Sequence, residues 1–548
     1  MLKTEKKEKK FLGIDQLSLR GILIGMLGSC IITASSMYVA LRMSSLPWPT
    51  IFVAILSMAI LKALGNTNFN EINITQTAMS AGAMVAGGIA FTIPGLWITG
   101  VWKDVNIKGS HFYMVLMISL AGMILGTILT YLLRKKFIEE EKLPYPIGEA
   151  AAETITTGDE GGKKAKVLFG TMGLSAIFTY LRDNLMVIPT AVTSKFLYAR
   201  NYYVGVWLSP MAIGIGYIIG WLYTGVWFLG SVISYLLIVP LGTYFHIFAN
   251  AADAVAFKNT VGIGLMVGTG IGILISFIIK SIKNNEKKSI NTKGFLSEIS
   301  YKGKMLMLIS TLIAFILSIL CNISVIASLL LIIGVFITSA MAATITGETG
   351  INPMEVFGII VLLAIRVLVN LNATSAFLVA GCVAVSCGYA GDLLNEYKVG
   401  YKIGTNPKAQ LISQIAGGLV GTVVAAAALF AIIGQFGGVG ADKKLPAGQA
   451  FAVSQMVNGI GDTKVFIIAL IVGVILYLLR IPSMTLGLGM YLSFEISSAV
   501  FIGGLIRFIV GKFKNNSIET GNIAASGLLG GEGITGVAVA IIKMFMAG

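Results

Sequence analysis

Apolar runs of about twenty residues alternate with short polar breaks along nearly the whole chain. They fall near 19–41, 48–64, 74–100, 112–134, 167–182, 205–223, 226–250 and 259–281. They resume near 305–322, 324–343, 354–386, 409–435, 464–480, 482–498, 499–512 and 524–546. A helix needs roughly 20 apolar residues to cross a bilayer, so the pattern predicts an all-α polytopic membrane protein. About sixteen transmembrane helices are expected. The runs 74–100 and 354–386 each have the length of one tilted helix or of two broken pieces. Between the two sets lies a basic connection, Lys280 to Lys304, with seven lysines and two glutamates. The chain thus divides into a tail over 1–18, a first transmembrane unit over 19–281, a linker over 282–304 and a second unit over 305–548.

One polar stretch interrupts two of the most apolar regions, 305–342 and 356–369. It reads Thr344-Ile-Thr-Gly-Glu-Thr-Gly-Ile-Asn-Pro-Met354. Gly347 and Gly350 loosen the backbone, and Pro353 removes a donor. Irregular backbone at membrane depth survives only inside protein or beside a water-filled cavity. An unwound segment carrying Glu348 and Asn352 is therefore a candidate solute and ion site. The plainer alternative is a turn between two ordinary spans.

Composition agrees. The chain is 56% hydrophobic and only 12% charged, with a mean hydropathy of +0.86, which excludes a soluble enzyme. The net charge of +15 does not point to nucleic acid, because the lysines cluster in connecting segments. The tail, the 134–166 segment and the 280–304 segment are the basic ones. They fall on one side if each unit has eight spans, which predicts a cytoplasmic N-terminus in the cell membrane. By the same count Lys398, Lys402 and Lys408 fall outside, and fit less well. The run Gly21–Leu41 is long enough to span and resembles no cleavable signal. Cys30, Cys321, Cys382 and Cys387 lie in apolar surroundings without zinc spacing, and only His111 and His246 supply imidazoles. A resident metal or haem is not expected.

The two units repeat one another. Ala121-Gly-x-x-x-Gly-Thr127 recurs as Ala416-Gly-x-x-x-Gly-Thr422, and Lys142-Leu-Pro144 recurs as Lys444-Leu-Pro446. Lys166 and Arg182 have the spacing of Lys464 and Arg480. Gly214-x-Gly216 matches Gly487-x-Gly489, and Gly264 to Gly270 matches Gly527 to Gly533. Gly65-x-Thr67-x-x-Asn70 echoes Gly347-x-Thr349-x-x-Asn352. Shared membrane composition explains glycines, but not Lys-Leu-Pro in the same order. With an even number of spans per unit, two tandem eight-helix repeats of the same orientation are expected, with broken or re-entrant segments. The glycine patterns also suit close helix packing.

The repeats diverge at acids. Glu348 aligns with Asn66, Glu149 with Gln449, Glu532 with Thr269 and Glu495 with Leu222. An acid inside a span costs roughly 2.5–3.5 kcal/mol on insertion scales, so each should be paired or protonated. Glu495 has Arg480, Arg366 and Arg507 as possible static partners. Glu71 has the place of a stabilising acid at a helix start. Pro146-Ile-Gly-Glu-Ala150 and Pro446-Ala-Gly-Gln-Ala450 each resemble the start of a short helix whose N-terminus can receive a carboxylate.

Five stretches resemble the oligopeptide transporter (OPT) family, which includes yellow-stripe metal–chelate transporters. They are Asn70-Glu-Ile-Asn-Ile-Thr-Gln-Thr-Ala-Met-Ser-Ala-Gly82, Gly87 to Pro94, Leu143-Pro-Tyr-Pro-Ile-Gly-Glu-Ala150, Ile345 to Met354, and Gly391-Asp-Leu-Leu-Asn-Glu-Tyr-Lys-Val-Gly400 running on to Gln410. The resemblance implies a prokaryotic secondary transporter, usually proton-coupled, that imports small peptides, peptide-like compounds or metal chelates. It carries over Glu71, Gln76, Glu149, Glu348, Asn352, Asp392, Lys398 and Gln410 as candidate solute- or proton-binding positions, and Asn70, beside Glu71, is a further candidate. Glu495 and Glu532 join them as acids within spans. The proton is the coupling ion and no other cofactor is implied.

The expected partners are a small peptide or metal–chelate solute and membrane lipid, without nucleic acid, and a homodimer stays open. A channel or intramembrane enzyme is the reading of a different class. The chain has no Walker loop, no His-Glu-x-x-His and no Gly-x-Ser-x-Gly, which argues against ATP drive and hydrolysis.

Overall fold

The structure, a computed structural model, describes residues 10–546 apart from 12, 45, 47–49, 108, 157–160, 286–299, 351, 441–442, 459–461 and 514–516. Most of the basic linker therefore lies outside the described residues. Among those described, ten helices are long and apolar enough to cross a membrane. Three shorter apolar helices, Phe52–Ala63, Pro210–Ile219 and Thr463–Leu478, accompany them. Among the described residues the strands form two small hairpins, of which Ala191–Thr193 paired with Gly205–Trp207 is the larger.

The long apolar runs resolve by their polar punctuation. The 354–386 run is two elements, Met354–Leu368 and Ala373–Ile403. Asn372 starts the second by accepting the Ser375 N–H at 2.7 Å, an N-cap. The 74–100 run is one helix, Phe69–Ala90, followed by a turn at Pro94 and the short Gly95–Ile98. The 205–223 run breaks at Gly220, whose φ of 93° favours glycine, between Pro210–Ile219 and Trp221–Val232. The interrupted stretch at 344–354 is a helix end: Val325–Thr349 stops at Gly350, with φ 74°, before Pro353.

Small residues set the packing. Helices Phe69–Ala90 and Ala373–Ile403 are buried over almost their whole lengths. A Cβ on Gly122 would meet the Cys382 carbonyl at 2.6 Å, and one on Gly88 would meet Val385 at 2.5 Å. Gly82 and Gly421 likewise bring two backbones together, the close approach that small residues allow between membrane helices.

The two halves run in opposite senses, which corrects the expectation of repeats in one orientation. Helices Leu19–Met43 and Val325–Thr349 both have 25 residues, begin at serine caps (Ser18, Ser324) and end in a left-handed residue (Ser44, Gly350). The caps Asn68 and Asn372 then start the matching helices Phe69–Ala90 and Ala373–Ile403. Those two helices lie antiparallel: Gly95 meets Phe377, Gly88 meets Val385, and Ser80 meets Glu396. Helix Tyr301–Leu320 precedes the repeated part of the second half, and this added helix reverses its sense. In this register Glu348 corresponds to Arg42, not to Asn66.

Residues 404–406 bond to Gln16, with Asn406 N–H to Gln16 Oε1 at 2.6 Å and Gln16 Nε2 to the Gly404 carbonyl at 3.3 Å. Lys402 and Lys408 therefore sit on the same face as the N-terminal segment, with Lys398 a turn further in, and not on the opposite face. We call this the N-terminal face; the far face carries Arg42 and the 184–207 connection.

Candidate functional site

The short helices Pro146–Thr156 and Gly448–Asn458 form as the Lys-Leu-Pro repeat predicts. Each is locked into a long helix of the other half. Tyr145 N–H bonds the Gly347 carbonyl, and Ala447 N–H bonds the Leu41 carbonyl, both at 2.9 Å. Their helix starts are not open to a solute carboxylate: Gly148 N–H donates to Asn395 Oδ1 at 3.0 Å and Gly448 N–H to Ser44 Oγ at 2.6 Å.

A cavity of about 580 Å³ lies between the halves towards the far face. The first half lines it with Arg42, Arg182, Asp183 and Trp207, the second with Lys443, Lys444, Tyr491 and Glu495. Arg42 and Arg182 both lie against the Trp207 ring, at 4.5 and 5.5 Å from its centre, within cation–π range. Arg182 is fully buried and committed. It bonds Asp183 at 2.6 and 2.7 Å, Glu532 at 2.9 Å and the Leu208 carbonyl at 2.7 Å. Glu532 also accepts from Ser209 and the Met211 N–H, so its charge is fully answered. Its repeat partner Thr269 meets Ser483 at 2.7 Å, which agrees with their alignment.

Arg42 has a single hydrogen bond among the described residues, to Tyr38 at 3.1 Å. Its remaining donors are available to a solute carboxylate. Glu495 accepts from the Tyr198 hydroxyl. Burial and the Glu495 carboxylate push that phenol above its ordinary range, so it stays a donor. The static partners expected for Glu495 go elsewhere. Arg366 ends on the Met456 and Val457 carbonyls, Arg507 on those of Tyr217 and Ile218, and no ion pair joins Glu495 to Arg480 among the described contacts.

Most other predicted residues converge on the buried helix Ala373–Ile403. Asp392 accepts the Asn352 amide at 2.7 Å, and Asn352 also donates to the Cys387 carbonyl. One turn on, Glu396 is 0% exposed. It accepts Gln76 Nε2 on Oε2 and Ser80 Oγ on Oε1, the latter at 2.7 Å. Gln410 donates to the Glu396 carbonyl at 2.9 Å. Lys398 bonds the Leu143 carbonyl at 2.9 Å and Glu149 at 3.3 Å, and Lys402 reaches Glu149 at 3.0 Å. Partial burial pushes the Glu149 carboxyl up, but Lys402 and Lys398 outweigh it and hold it below the usual carboxylate range. Asn70 and Asn73 meet Thr405 at the N-terminal face.

Glu71 lies apart from this seam. It starts its helix buried, held by Arg20 at 2.6 Å, Ser18 and Thr67. Glu348 occupies the last turn of Val325–Thr349, and its side chain lies outside the described residues.

Sequence reading left out Glu396, Ser80, Arg42 and Trp207. Glu396 had a signal: with Asp392 it forms an i, i+4 pair, which shares one helix face. Arg42 and Trp207 had none, because nothing local marks a cavity built from segments far apart in the chain.

A bundle of apolar helices in two related halves, with a charged cavity between them and buried acids along their seam, defines a polytopic membrane protein on a transporter-like plan. The chain belongs to the OPT oligopeptide transporter family, which matches residues 16–331 and 314–543. It is similar to a Haemophilus influenzae protein named for oligopeptide transport, at 25% identity over 92% of each chain. A Saccharomyces cerevisiae protein similarly named is 23% identical over 70% of this chain and 65% of its own.

Proposed function

We propose that the protein imports small oligopeptides across the cell membrane, coupled to protons, by alternating access of the cavity between its halves. The N-terminal face is then the cytoplasmic one, as the basic residues 398–408 beside the tail favour. The observation that carries the reading is the cavity itself: both halves line it, and its lining holds Arg42, Lys443 and Lys444 together with Glu495. A peptide has a carboxylate and an ammonium, and this wall offers a partner for each. The cavity volume falls in the range of small-ligand sites, roughly 300–1,000 Å³. The relatives named for oligopeptide transport support the same cargo.

The test is binding to purified protein of a tripeptide against its C-terminal amide. The free acid should bind about tenfold more tightly, as expected for one charged hydrogen-bonded contact. Equal binding removes the carboxylate from the account. Binding of anionic metal chelates without any peptide binding transfers the cargo to chelates.

A further inference from the structure

The seam holds a carboxyl that no cation answers. Glu396 lies on a helix buried throughout, and among the described residues it forms no ion pair. Its side-chain hydrogen-bond partners are neutral: Gln76 and Ser80. Both belong to the first half, whereas Glu396 belongs to the second. A charge so placed costs several kcal/mol unless fully answered, and a neutral acid needs an acceptor for its proton.

Gln76 supplies either need. Its Nε2 donates to the carboxylate, while its Oε1 is buried without a partner. Turned over, the same amide accepts from a protonated Glu396. A cavity of about 310 Å³ at the N-terminal face is lined by Tyr397, Gly400, Thr405 and Gln410, and Gln410 in its wall bonds the Glu396 main chain. One turn deeper Asp392 leaves Oδ1 unpartnered.

We propose that Glu396 is the carboxyl that carries the coupling proton, with Gln76 as the amide that serves both of its protonation states. In the import cycle the proton reaches a Glu396 oxygen from the far side when alternating access opens the seam to it, and it leaves for water in the N-terminal-face cavity on release. Because the donors to Glu396 come from the other half, each transfer changes a bond between the halves. The neighbouring ionisable groups are engaged elsewhere or lie deeper. Lys398 is bound to Leu143 and Glu149, Glu71 to Arg20, and Arg134 to Glu139 across the cavity. Tyr131 lies on the Arg134 helix and Glu355 beside Asp392.

The role rests on the transporter reading, and its test has a readout independent of any solute. Infrared difference spectra of wild-type protein in lipid, taken across a pH titration, should show a protonated-carboxyl band that is lost in Glu396→Gln. Ser80→Ala removes one donor to the charged form, so its band should titrate at higher pH. A band unchanged in Glu396→Gln, or a midpoint unmoved by Ser80→Ala, overturns the assignment even if no cargo is found. In vesicles that accumulate a tripeptide, Glu396→Gln should lose gradient-driven accumulation and keep tripeptide exchange at zero gradient. Wild-type accumulation by that variant also overturns it. If Glu396→Gln does not fold, the Ser80→Ala titration decides alone.

Discussion

Two arginines share Trp207 and differ in what else holds them. Arg182 is enclosed by Asp183 and Glu532, so removing it strands a buried acid. Arg182→Met should cost about 3–5 kcal/mol, read as a lower melting temperature of the purified protein. Arg42→Gln should leave the melting temperature near wild type and weaken tripeptide binding about tenfold. A fall in stability without a change in binding would make Arg42 structural. Glu149 gives a pH prediction. Its folded carboxyl lies below the ordinary range because Lys402 and Lys398 outweigh burial. Its contribution is thus present above the unfolded-state value, about 4.3, and is lost as pH falls through the folded one. Wild type should melt above Glu149→Gln at neutral pH, and the difference should close in acid. A gap that persists below pH about 3 would contradict the pairing. At this scale the sequence was a partial guide. Motif positions such as Gln76, Asn352, Asp392 and Gln410 do gather on one seam, but their most enclosed acid, Glu396, stood unmarked within the same motif.

Helices pack here through glycine, and that was readable from the repeated Gly-x-x-x-Gly. A Cβ at Gly417 would drive into the Ala78 carbonyl, so Gly417→Val should destabilise by about 1–3 kcal/mol, whereas Gly170→Val, with open space around Gly170, should be neutral. Equal thermal shifts would contradict the packing. The short helices after Pro146 and Pro446 were legible too, since proline favours a helix start. What their N-termini bind was not. Asn395 lies 247 residues from Gly148, and Ser44 lies 404 residues from Gly448. No local pattern encodes such a partner, and an N-terminus that looks open in sequence is closed in the fold.

Across the whole molecule, the duplication was legible but its sense was not. Orientation was inferred from an even count of spans. The helix Tyr301–Leu320 falls outside the repeated set, and one added crossing inverts everything after it. Apolar pattern alone cannot distinguish a repeat's first helix from a connector. The inversion predicts opposite exposure of two loops. In sealed vesicles of one orientation, an impermeant thiol reagent should label Lys142→Cys and Gly437→Cys, which follow the matched helices Ser110–Arg134 and Pro407–Phe436, from opposite sides; labelling of both from the same side would restore parallel halves.

The central claim is that the cavity between the halves moves peptide with protons. It is tested most directly by uptake into proteoliposomes of a mixed di- to hexapeptide pool, with and without an inward proton gradient, read by mass spectrometry. Gradient-dependent enrichment of particular peptide lengths, reduced by Arg42→Gln, is the predicted result. Peptide entry that ignores the gradient, or no entry while anionic metal chelates accumulate, would contradict it.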